Sequence, residues 1–102
     1  MLYELIGKDM TADSTVRALS VARGMLAAQE PFDAQSLEGM LRPLAVDLEL
    51  KTGQLFGALR TAVSGETATP PLFQMMAVLG RERCLKRIDS ALEGLRAPRT
   101  QG

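Results

Sequence analysis

The stretch LRTAVSGETATPPLFQMMAVLG, residues 59–80, contains the predicted end of one helix, a short loop and the whole of a second helix. Gly65 fits the position just past a helix end, where glycine is favoured because it has no Cβ atom. Thr69 is a candidate helix cap, which places Pro70 at the first helical position, where proline is tolerated. A second glycine, Gly80, marks the end of the second helix. The stretch therefore predicts two consecutive helices joined by a short polar connection.

Apolar side chains continue the helical spacing outward from this stretch in both directions. They recur every three or four residues, which places them on one face of a helix. The predicted helices span Ala12–Gln29, a segment from Asp33 or Ser36 through Leu48, Thr52–Val63, Pro70–Leu79 and Arg81–Leu95. No convincing strand pattern is present. The sequence thus predicts an all-α fold, a compact bundle of about five helices.

Single residues add detail to these helices. Asp33 or Ser36 is predicted to cap the second helix, and Thr52 the third. Pro43 lies inside the second apolar stripe and removes one backbone hydrogen bond. Because the stripe keeps its phase across Pro43, we expect a kink there rather than two helices.

The last helix is predicted to bury apolar residues at helical spacing, namely Leu85, Ile88, Leu92 and Leu95. Cys84 stands next to this set and is interpreted as a small buried residue rather than a reactive thiol. Met75 and Met76 lie in the helix before it, where their spacing favours core positions over a binding surface.

Length and composition indicate a single domain. The chain has 102 residues, of which 46 % are hydrophobic, enough for a core of its own. We assign the domain to residues 1–96 and expect a flexible tail over residues 97–102. Cys84 is the single cysteine, so no internal disulfide can form. Neither a signal peptide nor an apolar run of about 20 residues is evident, so the expected location is the reducing cytoplasm, without a membrane.

The charges are unevenly distributed although the net charge is zero. Residues 1–50 contain four basic and eight acidic side chains, whereas residues 51–102 contain eight basic and four acidic ones. A basic half can bind a polyanion while the whole molecule stays neutral. The alternative is a helical protein with unequal solvated faces.

The residue types argue against an active site in this chain. The chain has no histidine and a single cysteine, which excludes histidine bases, Ser-His and Cys-His nucleophile pairs and the usual zinc sites. No glycine-rich phosphate loop is present. We therefore predict no catalytic, metal-binding or cofactor-binding residues here.

The segment from Leu50 to Leu92 contains a set of motifs that resembles the carboxyl-terminal anticodon-binding region of bacterial-type glutamyl-tRNA synthetases, and the resemblance extends roughly from Leu5 to Leu95. That family shows Lys-x-Gly-Gln-hydrophobic, then Leu-Arg-x-Ala-hydrophobic-Thr-Gly, then Ser/Thr-Pro-x-Leu-Phe, then Leu-Gly-Lys/Arg-Glu-Arg followed by a basic residue two or three further on. Upstream it shows a Phe-x-x-x-Ser/Thr-Leu helix, which the segment from Glu30 to Lys51 also resembles. Two positions depart from the pattern, Ser64 in place of the usual threonine and Pro43 upstream. The matching residues are Lys51, Gly53 and Gln54; Leu59, Arg60, Ala62 and Gly65; Thr69, Pro70, Leu72 and Phe73; Leu79, Gly80, Arg81, Glu82 and Arg83; and Lys86 and Arg87.

The resemblance also implies what this chain lacks. Synthetases of this class carry a nucleotide-binding fold with a His-x-Gly-His-like motif and a Lys-Met-Ser-Lys-Ser-like loop, and neither is present here. The resemblance therefore implies a fragment of a ligase that attaches glutamate to its tRNA, with ATP and magnesium used by the parent enzyme. The implied partners are the anticodon loop of the glutamate tRNA and the catalytic domains of the parent chain. A stand-alone RNA-binding relative and a helical protein–protein interaction module are the alternatives.

By the same resemblance, five residues correspond to those that touch the first two anticodon bases: Arg60, Thr69, Pro70, Leu72 and Phe73. Proline and apolar side chains offer a stiff surface for unstacked bases, and an arginine offers planar donors. Phe73 can instead be a core residue, and Arg60 can instead pair with Glu66. Candidate contacts to tRNA phosphates, or alternatively a solvated face, are Lys51, Arg81, Arg83, Lys86 and Arg87.

Overall fold

The computed structural model describes residues 11–64 and 71–96 of the chain. Within these residues it contains five α-helices and no strand. The predicted all-α fold is confirmed. The predicted tail lies outside the described residues, as do Gly65, Glu66, Thr69 and Pro70. In chain order the helices are α1 Ala12–Ala28, α2 Ala34–Asp47, α3 Thr52–Ser64, α4 Leu72–Leu79 and α5 Arg81–Arg96.

Helix α3 lies at the centre of the bundle. It packs against each of the other four helices, whereas α1 does not touch α4 and α2 does not touch α5. Its buried apolar residues recur at helical spacing, as predicted, and are Leu55, Ala58, Leu59 and Val63. Side chains at the margin of this buried face therefore lie next to neighbouring helices.

The core also contains the sulfur side chains that the sequence assigned to it. Met76 is fully buried, and Met75 is partly buried against the core, so their interpretation as core residues is confirmed. Cys84 is fully buried too, and desolvation raises the pKa of its thiol to about 11. The thiol is therefore protonated at neutral pH, as expected for a small buried residue. On α5, Leu85 packs at the edge of the core and stays partly exposed, whereas Ile88 is fully buried.

Side chains before the first two helices hold their amino ends. Thr11 and Ser14 form a capping box at α1, with the Thr11 hydroxyl accepting from the Ser14 N–H at 3.0 Å. At α2 the Asp33 carboxylate accepts from the Ser36 N–H at 2.8 Å, so Asp33 is the cap of the two predicted candidates. This backbone hydrogen bond lowers the pKa of Asp33.

Helix α2 continues through Pro43 as one helix. The prediction of one helix rather than two is confirmed, and the kink stays a prediction.

Two predicted helix caps are wrong. Helix α3 begins at Thr52, so Thr52 is its first helical residue, and the Lys51 N–H donates to the Gln54 side chain at 2.9 Å. Helix α4 begins at Leu72 with Pro71 as its N-cap, so Thr69 is not its cap and Pro70 is not its first helical residue. The physical reason is that a residue followed by proline is disfavoured in the α conformation, and Pro71 follows Pro70.

Candidate nucleic-acid interface

Two phenylalanine rings join α3 to α4. The Phe73 ring, in the first turn of α4, meets the Phe56 ring of α3 edge to face, with centroids 5.0 Å apart and an interplanar angle of 88°. Both side chains are partly buried and pack against the core. Phe73 thus packs against the core and also keeps accessible surface. Its packing is therefore compatible with either alternative from the sequence, a core residue or a contact to a base. Such a pair presents an apolar surface that is rigid on the side facing solvent.

Arg42, on α2, contacts the Phe56 ring of this pair. Its guanidinium carbon lies 5.6 Å from the centroid of the Phe56 ring, within the range of a cation–π contact. Glu38, one turn earlier on α2, accepts a hydrogen bond from Arg42 Nε at 2.7 Å. Both members of this ion pair are exposed to a large extent, so the pair orients the guanidinium more than it stabilises the fold.

Arg60 follows Phe56 by four residues on α3 and therefore lies on the same face of that helix. The residue is partly buried, and its Nε atom is buried without a hydrogen-bond partner. A buried donor that lacks an acceptor is costly, and it favours any ligand that brings an acceptor. The alternative partner Glu66 lies outside the described residues, so that pairing stays untested.

The amino end of α4 supplies backbone rather than side-chain chemistry. The Leu72 side chain is 2 % exposed and belongs to the core, so any contact that Leu72 makes with a base has to use its backbone. Pro71 is exposed and no side chain caps this helix end. The N–H groups of a first helical turn, together with the helix dipole, favour an acceptor or a negative charge. Thr69 and Pro70, which precede this turn, lie outside the described residues.

Four of the five basic candidates are exposed, namely Lys51, Arg83, Lys86 and Arg87, whereas Arg81 is partly buried. Arg83 and Lys86 line an open groove between α1 and α5.

The same groove contains acidic groups, Glu82 and Asp89. Asp89 accepts two hydrogen bonds from Arg23, at 2.7 and 3.1 Å, and the side-chain hydrogen bond lowers the pKa of Asp89. The groove is therefore basic only in part.

Two of the basic candidates, Arg81 and Arg87, donate hydrogen bonds to backbone carbonyls at the ends of helices. Arg81 donates to the carbonyl of Gln29, the C-cap of α1, and its guanidinium carbon lies 5.4 Å from the centroid of the Phe32 ring. Arg87 donates to the carbonyl of Val63 in the last turn of α3, at 2.8 Å. The structure thus gives each of these arginines a partner within the fold, which sequence reasoning did not anticipate.

The structure brings together some of the predicted residues and separates others. Phe73 and Arg60 both adjoin Phe56, whereas Lys51 precedes Arg60 by nine residues, about 13 Å along α3. Of the predicted phosphate contacts on α5, Arg83 and Lys86 line the α1–α5 groove, whereas Arg87 reaches Val63, three residues after Arg60 on α3.

Sequence reasoning missed Phe56 and Arg42. The spacing of four residues between Phe56 and Arg60 was the available signal for the first. For Arg42, the spacing of four residues from Glu38 predicts an ion pair but no contact with a ring.

Two negative findings apply to residues 11–64 and 71–96. No helix there is long and apolar enough to cross a membrane. Nor does this part of the chain bring three or more histidine, cysteine, aspartate or glutamate side chains together as metal ligands.

Comparison with known proteins gives one consistent family. The sequence model of the family described as "Anticodon binding domain" matches residues 2–92. Proteins named glutamate–tRNA ligase are similar over most of this chain. That of Dehalococcoides mccartyi strain 195 is 56 % identical over 91 residues, which are 89 % of this chain and 19 % of the ligase. That of Roseiflexus castenholzii is 50 % identical over 93 residues, and that of Chloroflexus aurantiacus is 41 % identical over 92. These cover 91 % and 90 % of this chain, and 18 % of each ligase.

Proposed function

This chain belongs to the family of anticodon binding domains, and from that premise we propose that it reads the anticodon of the glutamate tRNA as one part of a glutamate–tRNA ligase. The chain spans about one fifth of the length of the ligases that it matches. In this proposal the attachment of glutamate, with its ATP and magnesium, takes place in the rest of such a ligase. The cytoplasm, where tRNAs are charged, is the proposed location.

The observation that carries the proposal is the corner where α3 meets α4. There the Phe56–Phe73 pair keeps accessible surface, and Arg60 lies one helical turn further along α3. Single-stranded RNA is recognised by packing unstacked bases on rigid side chains and by hydrogen bonds to their edges. One corner of the domain offers both kinds of contact.

Each group at this corner has a proposed role. The Phe73 ring packs against an anticodon base, and Phe56 supports that ring from behind. Arg60 donates to a base carbonyl. This oxygen supplies an acceptor for the buried Nε–H group, which has none among the described residues. The first-turn N–H groups of α4 bind a phosphate or carbonyl oxygen of the same loop.

The resemblance of motifs supports two further contacts. Thr69 offers a hydroxyl that donates or accepts a hydrogen bond, and Pro70 offers a stiff apolar surface before α4. Leu72 is proposed to act through its backbone, because its side chain is in the core. Arg42, over the Phe56 ring, extends the basic edge of the site.

The test is a titration of the 102-residue chain with two anticodon stem-loops at two salt concentrations. One stem-loop carries the glutamate anticodon, and the other has its first two anticodon bases changed. We expect tighter binding to the first, and a loss of about 1–3 kcal/mol in that preference for Arg60→Ala. Such a loss is expected because the bidentate donor that distinguishes the base is removed.

The matched control is Arg17→Ala. Arg17 is an exposed arginine of α1, a helix that does not touch α4, so its removal should leave the preference between the stem-loops intact. Equal loss of binding to both stem-loops in Arg60→Ala would make Arg60 a phosphate contact. If neither stem-loop binds to the unmodified chain at low salt, this domain does not read an anticodon by itself.

A further inference from the structure

The bond from Arg87 to the end of α3 has a consequence for the proposed site. We infer that Arg87 is a positioning residue, which fixes the last turn of α3 and thereby the Arg60 guanidinium, rather than a contact to tRNA phosphates. The inference rests on the proposed function for its RNA part. Its structural part rests on contacts within the chain.

Helix α5 presents Arg87 at the edge of its contact with α3. The neighbouring residue Ile88 is fully buried, and on α3 the Val63 side chain is 1 % exposed. Beside this buried contact, Arg87 Nη1 donates to the Val63 carbonyl oxygen at 2.8 Å. Because the buried Ile88 side chain fixes the backbone of α5 here, the Arg87 guanidinium is held close to the end of α3.

The end of α3 needs such donors. The last four carbonyls of a helix have no N–H donor within the helix, and they carry the negative end of its dipole. Here the Ser64 hydroxyl donates to the Arg60 carbonyl at 2.6 Å, and Arg87 donates to the Val63 carbonyl. Val63 is one of the last four residues of α3, so Arg87 supplies a donor that the helix itself lacks, and charged donors make the stronger hydrogen bonds.

Arg60 belongs to the turn that these two bonds hold. Its own carbonyl accepts from the Ser64 hydroxyl, the Val63 carbonyl three residues later accepts from Arg87, and Arg60 lies one helical turn from Phe56 on the same side of α3. A misplacement of about 1 Å at a recognition site is enough to weaken it strongly. Loss of the Arg87 bond should therefore lower anticodon preference although Arg87 does not touch RNA.

Hydrogen exchange of the free chain tests the structural part. In Arg87→Ala we expect exchange about tenfold faster at the amides of Ala62, Val63 and Ser64, with α1 amides unchanged. In Arg87→Lys we expect part of the protection to return, because an ammonium also donates to a carbonyl. Unchanged exchange at the end of α3 in Arg87→Ala would overturn the inference, and so would an equal increase in every helix, which reports general destabilisation.

Stem-loop binding tests the RNA part. For Arg87→Ala we expect weaker preference for the glutamate anticodon with an unchanged slope of log affinity against log salt. A phosphate contact would instead reduce that slope by about one and weaken both stem-loops equally, and this result would overturn the inference. If the unmodified chain shows no preference, the proposed function fails, while hydrogen exchange still decides whether Arg87 holds the end of α3.

Discussion

The α1–α5 side of the molecule and the α3–α4 corner both contain arginines, but those arginines are in different states. On the α1–α5 side Arg23 is paired with Asp89, and Arg81 donates to the Gln29 carbonyl through Nη2 while its Nε is buried without a hydrogen-bond partner. At the corner, Arg60 Nε is buried without a hydrogen-bond partner, beside two partly accessible phenylalanine rings. The number of basic residues in a region therefore does not locate the candidate site. Nor does an unpaired donor beside a ring, since Arg81 meets that description too. The corner is set apart by its phenylalanine pair together with the motif that assigned Arg60 and Phe73.

The largest effect is expected for Leu72→Ala, which separates fold from recognition within α4. The Leu72 side chain is 2 % exposed, so its loss leaves a cavity in the core. We expect the free energy of unfolding to fall by about 2–5 kcal/mol, measured by urea denaturation. If stability stays the same while stem-loop binding weakens, Leu72 contacts RNA through its side chain and the corner has to be redrawn.

The next effect is expected for Phe73→Leu, which keeps an apolar side chain but removes the ring. Base stacking is worth about 1–3 kcal/mol per base, so stem-loop binding should weaken by up to that amount. The loss of stability should be smaller than in Leu72→Ala, because leucine still fills much of the space. The measurements are a stem-loop titration and a urea denaturation curve of the same variant.

Phe56→Leu is the matched control for that experiment, because Phe56 is the supporting ring of the same pair. In our proposal it affects binding only through Phe73, so the double variant should lose less than the sum of the two single losses. Strictly additive losses would mean that each ring contacts RNA separately.

Much of the fold was predictable from the sequence, because each helix buries a face with regular spacing. The ends of the helices were harder. Thr52 has the side chain of a cap, but the helix includes it, and the Lys51 N–H bonds to Gln54 instead. Pro70 suits a first helical position only if the next residue is not proline. Local chemistry beyond the periodic pattern therefore decided these ends.

The candidate site was predictable only where a motif carried it. The resemblance assigned Arg60 and Phe73, and both adjoin Phe56 in the structure. The pattern along one helix cannot show a ring contact between two helices, so Phe56 and Arg42 were missed. For the same reason the acceptors of Arg81 and Arg87 were invisible, since a backbone carbonyl of a distant helix leaves no mark in the sequence.

The smallest effect is expected on the α1–α5 side, for Asp89→Asn. The hydrogen bond from Arg23 lowers the pKa of Asp89 below its ordinary value of 3.8. The folded state thus favours the ionised form, and the resulting stability is present above about pH 4 and lost as the pH falls through the lower folded pKa. In urea denaturation between about pH 5 and pH 2, Asp89→Asn should show a slightly weaker dependence on pH, while Asp33, whose pKa is also lowered, still contributes. An unchanged pH dependence would mean that the Arg23–Asp89 pair does not persist in solution.

The same variant also tests the comparison between the two regions. Removing the Asp89 carboxylate leaves Arg23 without its partner, and the α1–α5 groove becomes more basic. A polyanion should then bind slightly more tightly at low salt, by nonspecific attraction that fades as salt is added. Because this groove lies outside the α3–α4 corner, both stem-loops should gain equally and the preference between them should stay the same. A change in preference would show that the α1–α5 side takes part in reading bases. Base recognition could then no longer be assigned to the α3–α4 corner alone.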